Sequence, residues 1–273
     1  MNDTAIPENS TDAPAAAAAP ARPRFLLREM RSSCATQRIY KWSLPAFAGR
    51  LPDGRTYNTC PSAGICKNLC YARAGTFRFS NVLRSHENNL QYVLDEMPAW
   101  ENQMAEELTH ARYHPRDSRT HIRVHDSGDY FREDYLDAWL RIMRNAPEVV
   151  FYSYTKEVAL FEERVRPKPP ANFRWRYSYG GTQDELIEPG HNHVDVFPDE
   201  ESLAEAGYTS QAPSDLRGAY GPETLGIPAN NIPHLKKRQG ASTFRALQRA
   251  ANAQKRERRE KRSGPASRRP KAD

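Results

Sequence analysis

The sequence predicts an α/β fold, a partial (βα) barrel of about five or six parallel strands, and three observations predict it. Short β-branched and aromatic runs alternate with longer stretches of helical periodicity from residue 39 onward, the pattern of a parallel sheet with helical crossovers. Polar residues and glycines follow directly on the ends of those runs, where parallel β/α folds carry their working loops. A loop holding three of the four cysteines follows the first run. The strand candidates are too few for a closed eight-stranded barrel. A doubly wound sheet is the alternative, although no internal repeat, G-x-G-x-x-G or P-loop supports a nucleotide-binding version of it.

In chain order, residues 39–44 (Ile-Tyr-Lys-Trp-Ser-Leu) alternate as a first strand that Pro45 ends. The turn at Pro52-Asp53-Gly54 leads into the cysteine loop. Val82, Leu83, His86, Leu90, Val93 and Leu94 then recur at helical spacing, with Ser80 or Asn81 as N-cap. Pro98 opens a second helix containing Trp100, Met104, Leu108 and Ala111. Residues 120–125 alternate as a strand. Residues 131–144 place Phe131, Tyr135, Trp139, Ile142 and Met143 near one helix face. A strand at 149–154, a short helix at 157–165, a strand at 173–179, a last strand at 193–197 and a helix at 200–206 complete the set.

Residues 1–24, rich in Ala, Pro, Ser and Asn, have neither the basic start nor the apolar run of a signal peptide and read as a disordered tail. No apolar run approaches the ~20 residues that cross a bilayer, so a cytoplasmic protein without membrane contact is expected. Residues 236–273 carry 14 Lys and Arg against 3 Asp and Glu, and the rest of the chain 26 against 31. The net charge of +6 therefore conceals a basic tail, disordered or helical, on a mildly acidic body. Such a tail docks on nucleic acid through phosphate charge, or serves only to keep the chain soluble. The expected organisation is a tail over 1–24, an α/β domain over 25–235 and the basic tail over 236–273.

Cys60, Cys66 and Cys70 stand as C-x5-C-x3-C. Clustered cysteines without an export leader speak for a reduced compartment and a metal site over a disulfide framework. Cysteine thiolates hold iron–sulfur clusters or zinc, and purely structural sites of either kind usually have four protein ligands. Three leave one position open, which makes a [4Fe-4S] cluster with a free iron the leading reading. The alternative is zinc with Cys34 or a histidine as fourth ligand, although structural zinc favours C-x2-4-C pairs. Cys34 otherwise reads as a free thiol. After the strand at 120–125, Asp126, Ser127, Gly128 and Asp129 suit a ligand's amine or ribose hydroxyls, or else cap the helix that follows. Thr155 and Lys156 would meet a carboxylate or phosphate, or simply begin a helix. Gly180 and Gly181 permit close backbone approach to a ligand. His191 and His193, beside Pro189-Gly190, read as a surface loop more readily than as metal ligands. Tyr152, Tyr154, Trp175, Tyr177 and Tyr179 alternate along two strands as core residues, with an inward-facing subset free to line a pocket.

Three blocks in order, the cysteine loop through Tyr71-Ala72-Arg73, then Arg123-Val124-His125-Asp126-Ser127-Gly128-Asp129-Tyr130-Phe131, then Phe151-Tyr152-Ser153-Tyr154-Thr155-Lys156, resemble the phage "gene product 88" family over roughly residues 42–207. That family occurs in actinobacterial phages and their hosts, and the resemblance implies a fold and a metal site more than a reaction. More remotely, the arrangement resembles radical S-adenosylmethionine enzymes, whose three-cysteine loop holds a [4Fe-4S] cluster that binds the cofactor's amine and carboxylate and cleaves it reductively to a 5'-deoxyadenosyl radical. That likeness implies Cys60, Cys66 and Cys70 as cluster ligands and Asp126, Ser127 and Asp129 where the cofactor's amine and ribose are held. It also implies an electron donor and a substrate that the sequence does not identify. The usual spacing there is C-x3-C-x2-C with an aromatic before the last cysteine, whereas Tyr71 here follows it. The cluster thus carries over more directly than cofactor cleavage.

Overall fold

The alternating residues at 38–42 and 120–124 become neighbouring parallel strands in the computed structural model, which describes residues 23–30, 37–229 and 232–263. Cys34 and nearly all of the expected N-terminal tail lie outside the described residues. The strands are β1 (Arg28–Met30), β2 (Arg38–Trp42), β3 (Ala48–Arg50), β4 (Thr56–Asn58), β5 (Thr120–Val124), β6 (Val150–Thr155), β7 (Phe173–Ser178), β8 (His193–Phe197), β9 (Thr209–Ser210) and β10 (Thr224–Pro228). The helices are α1 (Cys66–Leu69), α2 (Ser80–Asp95), α3 (Met97–Leu108), α4 (Glu133–Asn145), α5 (Val158–Arg164), α6 (Glu200–Glu205), α7 (Arg217–Tyr220), α8 (Pro233–Gln239) and α9 (Phe244–Ser263). Ser80 is the first residue of α2, whose N-cap is Phe79, so neither expected capping side chain caps it.

Eight strands form one sheet in the order β1-β2-β5-β6-β7-β8-β10-β9, and β3 and β4 make a separate hairpin between β2 and the cysteine loop. Within that sheet only β1 is antiparallel to its neighbour. From β2 to β8 each parallel strand joins beside its predecessor; beyond β8 the order reverses once at the edge, where β10 pairs with β8 and the two-residue β9 lies outside it. The central strands β2 to β8 thus lack the reversal of order on which a doubly wound sheet is built. Among the described residues β1 and β9 do not pair with each other, so the pairings close no barrel. The molecule is an α/β protein with a mostly parallel sheet, wider than the five or six strands expected. The unexpected strands are short or carry strand breakers: β9 has two residues, β1 three, and β10 contains both Gly226 and Pro228.

Register sorts the side chains into two faces. Tyr40, Ile122, Phe151 and Phe173 stand in one row, and Lys41, Arg123, Tyr152 and Arg174 in the adjacent one. Because successive residues of a strand point to opposite sides, the first row faces an apolar core and the second a polar surface. The apolar side packs against α3 and α4, where Trp42, Trp100, Tyr135 and Trp139 cluster with ring centroids 5.3–6.5 Å apart. On the polar side Arg123 Nη1 donates to Asp215 at 2.8 Å, and the Tyr152 hydroxyl bonds the same carboxylate. The expected aromatic set is thereby split, with Trp175 and Tyr177 packed into the main core and Tyr152 buried with Ile39, Leu216 and Ala219 on the other side.

The folded body continues past residue 235. Gln239 at the end of α8 and Gln248 within α9 are buried, although both belong to the basic segment. Among the described residues no helix is long and apolar enough to cross a membrane. Trp139 is fully buried at the centre of the aromatic cluster. Trp139→Ala is expected to lower stability by about 3–5 kcal/mol, read from the shift in urea unfolding at unchanged m-value.

Candidate functional site

The cysteine loop leaves the β3–β4 hairpin and crosses the C-terminal ends of the central strands, and each strand-end loop ties it down. Thr59 O accepts from Asp129 N at 2.9 Å, after β5. After β6, Glu157 accepts from Ser62 N at 2.9 Å and from Ser62 Oγ at 2.8 Å. After β7, Gly180 O accepts from Cys66 N at 3.1 Å, Thr182 N donates to Ser62 O at 2.9 Å, and Gln183 Nε2 donates to Ser62 Oγ at 2.8 Å. From the C-terminal helix, Gln248 Oε1 accepts from Ile65 N at 2.6 Å. Gly64 (φ +32°) lies where these supports meet: a Cβ there would stand 2.2 Å from Gln248 Oε1 and 2.6 Å from Gly180 O.

Below the loop is a cavity of about 170 Å³ lined by all three free thiols of Cys60, Cys66 and Cys70. Asp126, Ser127, Gly128, Asp129 and Lys156, which the sequence singled out, line it as well. Gly180 and Gly181 do not. They lie behind the cysteine loop, and their close approach is to the protein's own backbone, with both N–H groups donating to Asp184 at 2.9 and 2.7 Å. His191 and His193 are buried beside β7 and β8 rather than in an exposed loop. The His193 ring packs against Tyr179 and Tyr208.

Most of the strand-end groups are already engaged. Asp129 Oδ1 accepts from Tyr130 N (2.8 Å) and Thr155 Oγ1 (2.7 Å), and Oδ2 from Lys156 N (2.9 Å). Ser127 Oγ donates to Leu44 O, and Asp126 pairs with Lys41. All three ammonium protons of Lys156 have acceptors in Ser178 O, Ser178 Oγ and Tyr179 O at 2.6–3.0 Å. Lys156 thus acts on the cavity through its field. By contrast, three cavity-lining side chains each keep one buried polar atom without a partner: Arg123 Nε, His125 Nδ1 and Tyr154 Oη.

The electrostatics follow from burial. Burial raises Asp126, but Arg123 and then Lys41 outweigh it and hold its carboxyl below the ordinary range. Burial raises Asp129 despite its three donors. Burial, followed by the nearby Asp129 carboxylate, pushes Glu157 up to about 7 and Cys60 up to about 12. The hydrogen bond between Cys66 and Cys70 holds Cys66 below the ordinary thiol range, with Lys156 assisting, and pushes Cys70 up. Burial lowers His125 to about 3, so its ring is neutral. The Tyr135 hydroxyl accepts from Trp42 Nε1 and lies 2.9 Å from His125 Nε2, so its proton is free for Nε2. His125 Nδ1, which has no partner among the described residues, is a donor or an acceptor according to the tautomer.

Among the described residues, no group of three or more His, Cys, Asp or Glu side chains converges on a single metal ion. The donor set of the zinc alternative is therefore not assembled among them. Sequence reasoning missed Arg123, Glu157, Gln183 and Gln248. The last was legible: Phe244, Leu247, Gln248 and Ala251 follow i, i+3, i+4, i+7 spacing and are buried or half-buried inside the basic run.

An open, mostly parallel α/β sheet with a three-cysteine loop laid over its strand ends defines the class of protein. The particular family follows from comparison: residues 24–261 match the family model described as Gene product 88, and the chain belongs to that family. The match extends beyond the 42–207 stretch on which the resemblance was first seen. The "Gene 88 protein" of Mycobacterium phage L5 is 29% identical over 111 residues, covering 39% of this chain and 46% of the relative. The chain thus spans about half the length of the curated relative it matches. No solved structure matches it. These likenesses bear on the phage family alone and not on radical S-adenosylmethionine enzymes.

Two outcomes are expected at the loop anchors. Asp129→Asn sets an amide donor against a buried N–H and should cost about 1–3 kcal/mol of stability, measured by urea unfolding. The raised pKa of Glu157 means that the folded state holds this proton more tightly than the unfolded chain. Its contribution to stability is full below the ordinary carboxylate range and is lost as pH rises through about 7. Glu157→Gln, which can still accept from Ser62 N, should flatten the decline in Tm across that window. An unchanged slope would refute the assignment.

Proposed function

We propose that the chain is a cytoplasmic iron–sulfur protein of radical S-adenosylmethionine type, with Cys60, Cys66 and Cys70 as ligands of a [4Fe-4S] cluster. In this reading the one-directional addition of β2, β5, β6, β7 and β8 is that of an arc of a (βα) barrel, and the cavity holds S-adenosylmethionine. One observation carries it: three free thiols line one cavity over parallel strand ends together with Arg123, His125 and Tyr154, side chains that each keep a buried polar atom without a partner. Unpaired polar atoms around a cavity call for a polar ligand.

A cluster held by three thiolates supplies an open iron position and one-electron chemistry. The chain's own groups supply the rest. Arg123 and Lys156 offset the negative charge of thiolates and of a bound carboxylate. His125 Nδ1 is a donor or acceptor for a ligand's polar groups, and Tyr154 contributes its ring, its hydroxyl lying against Gly218 of α7. Val194, Val196 and Ile227, also lining the cavity, offer an apolar surface for a base. Asp126 and Asp129 act by positioning: Tyr71 Oη donates to Asp126 O at 2.5 Å, and Asp129 joins the strand-end loops. The substrate and electron donor lie outside what these residues identify.

Protein purified without oxygen should contain about four irons and four sulfides per chain, with a broad visible absorption lost in Cys60→Ala, Cys66→Ala and Cys70→Ala. Zinc without iron, or neither metal, would overturn this reading. With the cluster present, binding of S-adenosylmethionine by calorimetry should weaken in Tyr154→Leu, which removes the ring lining the cavity, at unchanged iron content.

A further inference from the structure

A second depression adjoins the cysteine loop on its outer side. It has a volume of about 630 Å³ and shares Lys67, Cys70, Ala72 and Leu235 with the cavity beneath. Its basic lining comes from three parts of the chain: Lys67 on α1, Arg73 and Arg78 in the turns after it, and Arg238 with the neighbouring His234 on α8. No carboxylate lines it among the described residues. All five of these side chains are exposed. Arg238 is fixed against the loop by donating to Asn68 O at 3.1 Å, and Arg73 lies over the Phe47 ring at 5.7 Å. Phe77 and Tyr57 interleave with the charges. The Phe77 ring is held edge-on by Tyr71 at 5.5 Å, and the exposed Phe79 follows Arg78 directly.

We infer that this groove binds single-stranded nucleic acid and presents one nucleotide of it at the mouth of the three-cysteine cavity. Cations without carboxylates track a phosphate backbone, and aromatic faces among them take unstacked bases, a pairing that an acidic peptide does not need and a duplex cannot use. Beyond the Gln248 anchor α9 carries a second exposed basic surface, with Arg249, Lys255, Arg256, Arg258 and Arg262. The role of the bound strand as substrate rests on the proposed function; the groove itself does not.

The test uses the full chain and fluorescein-labelled oligothymidylate and oligouridylate, read by fluorescence anisotropy across a salt series. Arg73→Glu with Arg78→Glu should weaken binding by about tenfold or more and reduce the log–log salt slope by about two. Phe77→Leu should weaken it by about tenfold at an unchanged slope. Unchanged affinity and slope in both variants would overturn the groove. So would a loss that appears only in Arg258→Ala with Arg262→Ala on α9, or displacement of the oligonucleotide by polyglutamate at equal charge concentration. Iron measured on the same samples separates the two readings. Binding intact without iron removes the cluster and leaves the groove, and iron present with binding indifferent to the groove variants removes the groove alone.

Discussion

The buried carboxylate of Asp129 is the constraint on which the upper end of the molecule depends. It closes the turn after β5 through Tyr130 N, reaches the end of β6 through Thr155 Oγ1 and Lys156 N, and its own N–H donates to Thr59 O at the root of the cysteine loop. One residue thus joins three segments that are far apart in sequence. Backbone donors hold it where a side-chain cation would be free to leave. Burial raises its proton affinity, and those donors limit the rise. The same constraint sets the positions of Lys156 and Glu157, so the cation under the thiols and the carboxylate that clamps Ser62 are placed together.

The arrangement of charge around the cavity follows from strand register. Parallel pairing lines up Lys41 with Arg123 on one face, and Arg123 then lies beside Asp126 and Asp215 at the strand ends. The opposite face takes the tryptophans. A polar sheet face is costly unless it is covered and satisfied. Here α7 covers it, and Arg176 satisfies the carbonyls of Gly218, Gly221 and Pro222 around that short helix. The cavity is where this cover stops short of the strand ends. Lys156 helps to lower the thiol of Cys66 from there while its own protons bond elsewhere, which suits a low-dielectric setting where a charge acts over several ångströms.

Much of this was legible because it obeys a period. β2, β5, β6, β7 and β8 all lie where residues alternate or form compact β-branched and aromatic runs, and α4 lies where Tyr135, Trp139, Ile142 and Met143 recur at helical spacing. The grouping of Cys60, Cys66 and Cys70 with Asp126 and Lys156 followed from placing each at a strand end. What escaped had its periodicity masked. β10 holds a glycine and a proline, so nothing in it reads as a strand, yet β8 supplies a full parallel partner. The α9 face was hidden by its charge: attention to arginines obscured Phe244 and Gln248 beneath them. Gly180 and Gly181 signalled a close approach correctly, but a sequence does not say whether the approaching atoms belong to a ligand or to the chain. Here they belong to the cysteine loop, 3.1 Å away at Cys66 N.

The bond from Ile65 N to Gln248 spans 183 residues. During synthesis, at about 5–20 residues per second, the cysteine segment leaves the ribosome about 10–40 s before its last support exists. Over that interval Cys60, Cys66 and Cys70 sit on an incompletely anchored loop, open to oxidation and to any thiophilic metal. Completion of α9 is therefore the event after which this loop is held on every side, and a ribosome that stalls in the basic segment would release a chain whose thiols were made but never enclosed.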